Sequence, residues 1–310
     1  MWLRMYSTKP KRVGSVRQWL SGDRWLVGMA LALFFFLACP PAAGAGAFHQ
    51  GVKAAQQQDY ATAVQHFTEA IQQQESLALA YSHRCLMHLL IEQPANAAAD
   101  CTQALQIRPD LPTAHFYRGL AQYRLGQYTA AIADLTQHLQ HQPQDGRAYY
   151  NRGLAEFAMS QYEVAIADYQ TALAQAQAMP PEDQAEIYND LGLAYLANAQ
   201  PHRAMTSLDQ AIALDQTSPR AYFNRGCLCH RLGNYLAALA NFEQVLALDP
   251  AHAETYLNRG VVQQQLGHRT AAIADLEMAI AYFQQQGNFA GAHKAKLHLQ
   301  QLSRRATVMG

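Results

Sequence analysis

Apolar and small side chains recur three and four residues apart along most of the chain after about residue 48, and polar side chains fill the positions between them. This spacing marks one face of an amphipathic α-helix. In residues 112–145 the pattern is interrupted at Leu125-Gly126 and ends at Pro143, so it divides into two short segments. Such a stretch predicts two helices joined by a turn that contains glycine, with the proline ending the second helix.

The pattern repeats at a fixed interval. A series of small residues is spaced by 34 residues, except that Gly153 and Gly192 are 39 apart, which indicates an insertion of five residues. A period of this length is typical of a solenoid of stacked supersecondary units. The series comprises Gly51, Cys85, Gly119, Gly153, Gly192, Gly226 and Gly260.

Side chains at fixed places in each copy explain how the two helices pack. Gly119 and Ala131 are small enough to let the helices approach closely, and Leu135 fills the space beside them. This arrangement resembles the tetratricopeptide repeat (TPR) family, and the segment AYFNRGCLCHRLGNYLAALANFEQVLALDP, at 221–250, fits the family pattern at nearly every diagnostic position. The resemblance implies an all-α fold, a right-handed superhelical solenoid of about seven helix hairpins with a C-terminal capping helix.

The repeat pattern also predicts the domain boundaries. The array should cover 48–287, with a capping helix and tail at 288–310. The insert at 180–184 begins with Pro180 and should lie between two repeats, where the array can bend. We expect the copies at about 44–77, 78–111, 112–145, 146–179, 185–218, 219–252 and 253–286.

Residues 1–47 differ from the rest of the chain. They carry six basic residues and one acidic residue, a net charge of +5, and the rest carries 17 − 22 = −5. The basic leader, the apolar stretch 25–38 and the small residues Ala45-Gly46-Ala47 have the order of an export signal, with cleavage near Ala47. The alternatives are a membrane anchor at 25–38, a lipid on Cys39 and a cytosolic chain with a misassigned start. The basic leader is longer than a typical signal, which is consistent with translation from Met5. The mildly acidic body disfavours nucleic acid as a partner.

Arginines in the first predicted helix and acidic residues in the second recur together. Each copy with Arg at the seventh position has Asp or Asn sixteen residues later, and the two copies without this Arg have neither. The two groups should meet inside one copy as a structural ion pair rather than bind a ligand. The predicted pairs are Arg84 with Asp100, Arg118 with Asp134, Arg152 with Asp168, and Arg259 with Asp275.

The opposite face of each first helix carries the candidate binding residues. In TPR superhelices this face lines a concave groove for partner peptides, so the resemblance implies a groove here. Asn and Arg can clamp a peptide backbone or its carboxylates, and aromatic rings can form apolar pockets; a solvated face without a dedicated ligand is the alternative. The candidates are Arg124, Arg147, Asn151, Glu186, Asp190, Arg220, Asn224, Arg231, Asn258, Phe116, Tyr117, Tyr150 and Phe223.

Two expectations follow for this groove. Because they should face away from the packed stripe, four residues are expected to tolerate alanine with little loss of stability: Arg147, Asn151, Arg220 and Asn224. Glu186 and Asp190 lie between the two Arg/Asn pairs, which argues against a simple C-terminal carboxylate as the ligand.

Other chemistry is sparse. Cys85 and Cys101 should lie on facing helices, where export would permit a disulfide, but two small buried thiols are the favoured interpretation. The pair His138 and His141 lacks a carboxylate and does not make a metal site, so we expect no metal, no cofactor and no enzymatic activity.

The sequence therefore predicts an interaction scaffold that binds a protein or peptide in the groove. A self-associating array is the alternative, and a regulatory subunit of an enzyme is the least favoured function. Resemblance to NRG-type bacterial TPR proteins suggests a role in assembling membrane complexes.

Overall fold

The computed structural model describes residues 46–176 and 179–307, with side chains up to Leu302. The predicted export signal or anchor therefore lies almost wholly outside the described residues. No helix within the described ranges is both long enough and apolar enough to cross a membrane.

The described part of the chain folds into fifteen α-helices and contains no β-strand. They are α1 (Ala47–Gln56), α2 (Tyr60–Gln72), α3 (Leu77–Leu90), α4 (Pro94–Ile107), α5 (Pro112–Arg124), α6 (Tyr128–His141), α7 (Gly146–Ala158), α8 (Tyr162–Ala174), α9 (Pro181–Ala197), α10 (Pro201–Leu214), α11 (Pro219–Arg231), α12 (Tyr235–Leu248), α13 (Ala253–Gln265), α14 (Arg269–Gln285) and α15 (Phe289–Thr307).

These helices form successive hairpins, two helices for each copy of the repeat, and α15 follows the last pair. The prediction of an all-α helical repeat array is confirmed. The described contacts group into two compact units, one ending at Asp183 and the other beginning at Gln184. The first contains α1–α8 and the start of α9, and the second contains the rest of α9 and the helices up to α15.

Local sequence sets where each helix begins and ends. Asp59 and Asn234 cap α2 and α12 by accepting a hydrogen bond from the backbone N–H three residues later. Gly126 ends the turn between α5 and α6 at φ +75°, a conformation that suits glycine. The equivalent turns without glycine place Glu92 at φ +60° and Ser160 at φ +63°, so those hairpins close with some backbone strain.

The recurring glycine of each first helix is required by close packing. A Cβ on Gly119 would lie 2.9 Å from Leu135 Cγ and 3.3 Å from the carbonyl oxygen of Ala131. At Gly153 the nearest atom would be Tyr169 Cε1, at 2.7 Å. The paired helices therefore touch where the small and bulky positions of the sequence predicted contact.

The insert at 180–184 lies where the first helix of the fifth copy begins. Helix α8 ends at Ala174, before Pro180, and α9 begins at Pro181. Glu182 and Asp183 lie in the first turn of α9, where negative charge favours helix formation, so the helix starts there. Residues 181–184 of the insert therefore form the first turn of α9, which is 17 residues long.

Candidate protein-interaction surface

Four of the recurring arginines hold the two helices of their own copy together. Each donates Nε and Nη2 to the two carboxylate oxygens of one Asp, over N–O distances of 2.6–2.9 Å. The hydrogen bond with Asp168 raises the pKa of Arg152, and Asp100 and Asp275 do the same for Arg84 and Arg259. The pairs are Arg84–Asp100, Arg118–Asp134, Arg152–Asp168 and Arg259–Asp275, as the spacing suggested.

Three of these arginines, Arg84, Arg118 and Arg152, also donate to a threonine of the preceding copy, which the sequence analysis missed. Nη1 of Arg84 donates to Thr68 Oγ1 over 2.8 Å, and Nη1 of Arg152 donates to Thr136 Oγ1 over 3.1 Å. In the second unit, Arg225 Nη1 contacts Asp209 at 2.7 Å. Each of these acceptors lies sixteen residues before its arginine, so the signal was present in the sequence as a second fixed spacing. The arginine therefore connects neighbouring repeats as well as the helices of one repeat.

In the first unit, Arg147 and Asn151 form hydrogen bonds within α7 and its N-cap residue. Arg147 pairs with Asp145 through Nε at 2.9 Å and Nη2 at 2.7 Å, and its guanidinium lies over the Phe116 ring. Burial acts to raise the pKa of Asp145, but hydrogen bonds from His138 and Arg147 outweigh it and hold the pKa below its usual range. Asn151 Nδ2 donates to the Arg147 carbonyl oxygen over 2.8 Å.

The other candidates of the first unit have different surroundings. Phe116 is buried in the core and contacts the His138 ring, so its assignment as a groove residue is corrected. Tyr117 packs against core residues, and burial raises its pKa to about 12. Tyr150 is half-buried beside Tyr169. Arg124 is exposed, with Nη1 donating to the Leu89 carbonyl oxygen over 2.7 Å.

In the second unit, Arg220 bridges two carboxylates. It donates Nη1 to Glu186 and Nη2 to Asp190, yet 45% of its side chain remains exposed. Burial raises the pKa of Glu186, and the charge of Arg220 opposes that change. The three side chains form a charged cluster on α9 and α11, the first helices of adjacent copies.

Asn224 and Asp190 are buried, which corrects their assignment as accessible groove residues. Asn224 is 5% exposed and donates Nδ2 to Asn189 Oδ1 over 2.8 Å. The geometry of an isolated helix placed these side chains opposite the packed stripe. Helix α11 also lies against α9, the first helix of the preceding copy, through the Asn224–Asn189 and Arg220–Asp190 hydrogen bonds, and this contact covers both side chains.

Of the remaining candidates, Arg231 is exposed at the end of α11. Phe223 is half-buried, with its ring 5.1 Å from that of His252. Asn258 Nδ2 lies 3.8 Å from Cys227 Sγ. The accessible polar surface of the predicted groove therefore consists mainly of arginines.

Cysteine and histidine have structural roles. A disulfide joins Cys85 to Cys101 and links α3 to α4. His138 lies with Nε2 3.0 Å from Asp145 Oδ2 and Nδ1 3.0 Å from the Pro112 carbonyl oxygen. Within the described ranges, no group of three or more His, Cys, Asp or Glu side chains could hold a metal ion.

Stacked helix hairpins of 34 residues, followed by a final helix, define a helical repeat protein. Matches to family models identify the type of helical repeat. Models described as tetratricopeptide repeat match residues 86–149, 144–217 and 207–240, and a model described as TPR repeat matches 227–267. The chain belongs to the tetratricopeptide repeat family.

Solved structures share the fold. A tetratricopeptide repeat protein from Parabacteroides merdae matches with 16% identity and a TM-score of 0.61, covering 81% of this chain and 97% of its own. PilF of Pseudomonas aeruginosa matches with 17% identity and a TM-score of 0.59, covering 71% of this chain and 97% of its own. YrrB, described as a TPR protein with an unusual peptide-binding site, matches with 23% identity and a TM-score of 0.50, covering 64% of this chain and 98% of its own. No curated protein sequence matches the chain.

Proposed function

We propose that this chain is a scaffold that holds a partner protein or peptide on the exposed faces of its first helices. Proteins of the tetratricopeptide repeat family are in general interaction scaffolds. The observation that carries the proposal is the partly exposed Arg220, which keeps 45% of its side chain accessible while Glu186 and Asp190 fix its direction. A guanidinium that is held in place loses little entropy when a peptide carbonyl binds it.

The experiment is a capture with the purified chain as bait, followed by a binding titration of each captured protein. Membrane-fraction proteins are the first candidates, because the NRG-type resemblance points to membrane complexes. The variant Arg220→Ala should weaken binding about tenfold, and Arg203→Ala, on the second helix of the fifth copy, is the matched control. Equal affinity of the wild type and R220A would remove this surface from the proposal.

Self-association is the second candidate function. On α15, 74% of Phe289 and 46% of Leu297 are exposed, and large apolar side chains at the end of an array favour contact with another copy. Light scattering on a size-exclusion column should then show a dimer for the wild type and a monomer for Phe289→Ser with Leu297→Ser. A monomeric wild type at all concentrations would rule out this candidate.

We also propose that the array works after export, in an oxidising compartment. The buried Cys85–Cys101 disulfide supports this, because disulfides persist in oxidising compartments. Cells lysed in denaturant with a maleimide should yield a chain labelled at Cys227 and Cys229 but not at the bonded pair. Labelling of all four thiols would place the chain in a reducing compartment.

A further inference from the structure

The position four residues after each paired arginine is polar in every copy that has an Arg–Asp pair. It is occupied by His88, Gln122, Glu156 and Gln263. Four residues along a helix make one turn, so this side chain lies beside the arginine and faces the same carboxylate. In the second copy, His88 Nε2 lies 3.6 Å from Asp100 Oδ2, as this geometry requires.

Glu156 is the acidic member of this set. It is 4% exposed, and its Oε1 lies 3.9 Å from Arg152 Nε. That nitrogen is already used at 2.7 Å by Asp168. The Glu156 Oε2 atom is buried without a hydrogen-bond partner. One guanidinium therefore faces two buried carboxyl groups, and it forms close hydrogen bonds with only one of them.

In two other copies the position of Glu156 is occupied by a neutral glutamine, so an uncharged side chain fits there. Gln122 and Gln263 each leave Oε1 buried without a partner, as Glu156 leaves Oε2. An amide has N–H groups to donate and a protonated carboxyl has an O–H, whereas a carboxylate can only accept. Protonated Glu156 therefore has the hydrogen-bonding character of the glutamines, and the charged form does not.

We propose that Glu156 is a proton-operated switch in the fourth copy, which takes up a proton from solvent and thereby stabilises the α7–α8 hairpin. The charged groups that act on it are Asp168 from α8 and Arg152 from its own helix, and Arg152 also donates to the Thr136 hydroxyl of α6. Burial, followed by the charge of Asp168, raises the pKa of Glu156 to about 7, and Arg152 opposes this.

The direction of the effect follows from proton binding. The folded state binds the proton up to about pH 7, and the unfolded chain releases it near the ordinary glutamate pKa of 4.5. The stabilisation is therefore fully present below about pH 4.5 and is lost as the pH rises towards 7. Because α7 also carries Arg147 and Asn151, alkaline conditions loosen the helix that presents two candidate binding residues.

The test compares the full chain with two reciprocal variants. Hydrogen exchange of α7 and α8 amides is followed between pH 5.5 and 8, after correction for the intrinsic exchange rate. The opening equilibrium constant of the wild type should rise about 30-fold over this range. Glu156→Gln should remove most of that rise, and Gln122→Glu should introduce one in α5 and α6.

Two outcomes overturn the proposal. One is the same pH dependence in Glu156→Gln as in the wild type, and the other is an unchanged third copy in Gln122→Glu. Infrared spectroscopy of the wild type gives a readout that does not depend on either variant folding. A buried protonated carboxyl should appear at pH 5.5 and disappear by pH 8, and its absence at pH 5.5 contradicts the switch.

Discussion

At the residue scale, the recurring arginine has a structural role. The stability lost when it is removed depends on whether the buried partner that it leaves without a hydrogen-bond donor is charged or neutral. Arg152 neutralises Asp168, which is buried, and also donates to Thr136 of the preceding copy. Arg225 makes the equivalent contact with the neutral Asn241. A buried carboxylate without its counter-charge costs more than a buried amide without one donor, so the two positions should respond differently to the same substitution.

We therefore predict that Arg152→Ala lowers the free energy of unfolding by roughly 1 to 3 kcal/mol. Arg225→Ala is the matched control and should lose less, because Asn241 carries no charge to strand. Chemical denaturation followed by circular dichroism measures both values. A wild-type midpoint for Arg152→Ala would return this arginine to the set of candidate ligand-binding residues.

A second prediction concerns the asparagine pair of α9 and α11. Asn224→Ala removes the donor to buried Asn189 Oδ1 and should cost about 1 to 3 kcal/mol of stability. Asn151→Ala serves as the control, since its amide bonds only to a carbonyl of its own helix and its loss should stay within about 0.5 kcal/mol. Thermal unfolding measures the loss of stability in each variant. Equal losses would show that the Asn224–Asn189 hydrogen bond does not stabilise the fold.

At the element scale, the helix hairpin is the unit whose two helices must approach closely, and the second copy achieves this by covalent means. Other copies place glycine against a bulky residue, as Gly119 does against Leu135. The second copy places Cys85 opposite Cys101 and joins α3 to α4. A cross-link over sixteen residues removes conformational freedom from the unfolded hairpin, a model-dependent gain of about 3 kcal/mol.

Reduction should therefore destabilise the α3–α4 hairpin. We expect dithiothreitol to lower the midpoint of unfolding of the first unit in the wild type and to leave it unchanged in the double variant Cys85→Ala with Cys101→Ala. The double variant should unfold near the midpoint of the reduced wild type. Intact stability of the reduced chain would mean that packing alone holds these helices together.

At the scale of the whole molecule, fixed spacings allowed the repeat array and its ion pairs to be predicted from the sequence. A spacing of sixteen residues joins Arg to Asp in the same way in four of the hairpins, as it does for Arg84 and Asp100. The accessible surface was harder to predict, because the burial of Asn224 and Phe116 depends on neighbouring helices outside their own hairpin. The sequence of a single helix shows the face that packs within its own hairpin, but not the second face that a neighbouring copy covers.

The repeat architecture also predicts which helices lose stability when one end of the array is removed. In a solenoid each copy contacts only its neighbours, so removing α15 should act on the seventh copy first. Buried Phe283 and Ala279 of α14 pack in the same apolar cluster as Ala292, Ala295 and Leu302 of α15. A chain ending at Asn288 would expose this cluster, at a cost of several kcal/mol for two large and several small side chains.

Hydrogen exchange should then show α13 and α14 opening much more often in the truncated chain, while α3–α8 keep wild-type protection. The chain should also self-associate more, because an exposed apolar end is a contact surface. A chain ending at Leu302 keeps the whole cluster and should behave as the wild type. Uniform loss of protection over both units would mean that the array unfolds as one cooperative body, and the nearest-neighbour description would then be wrong.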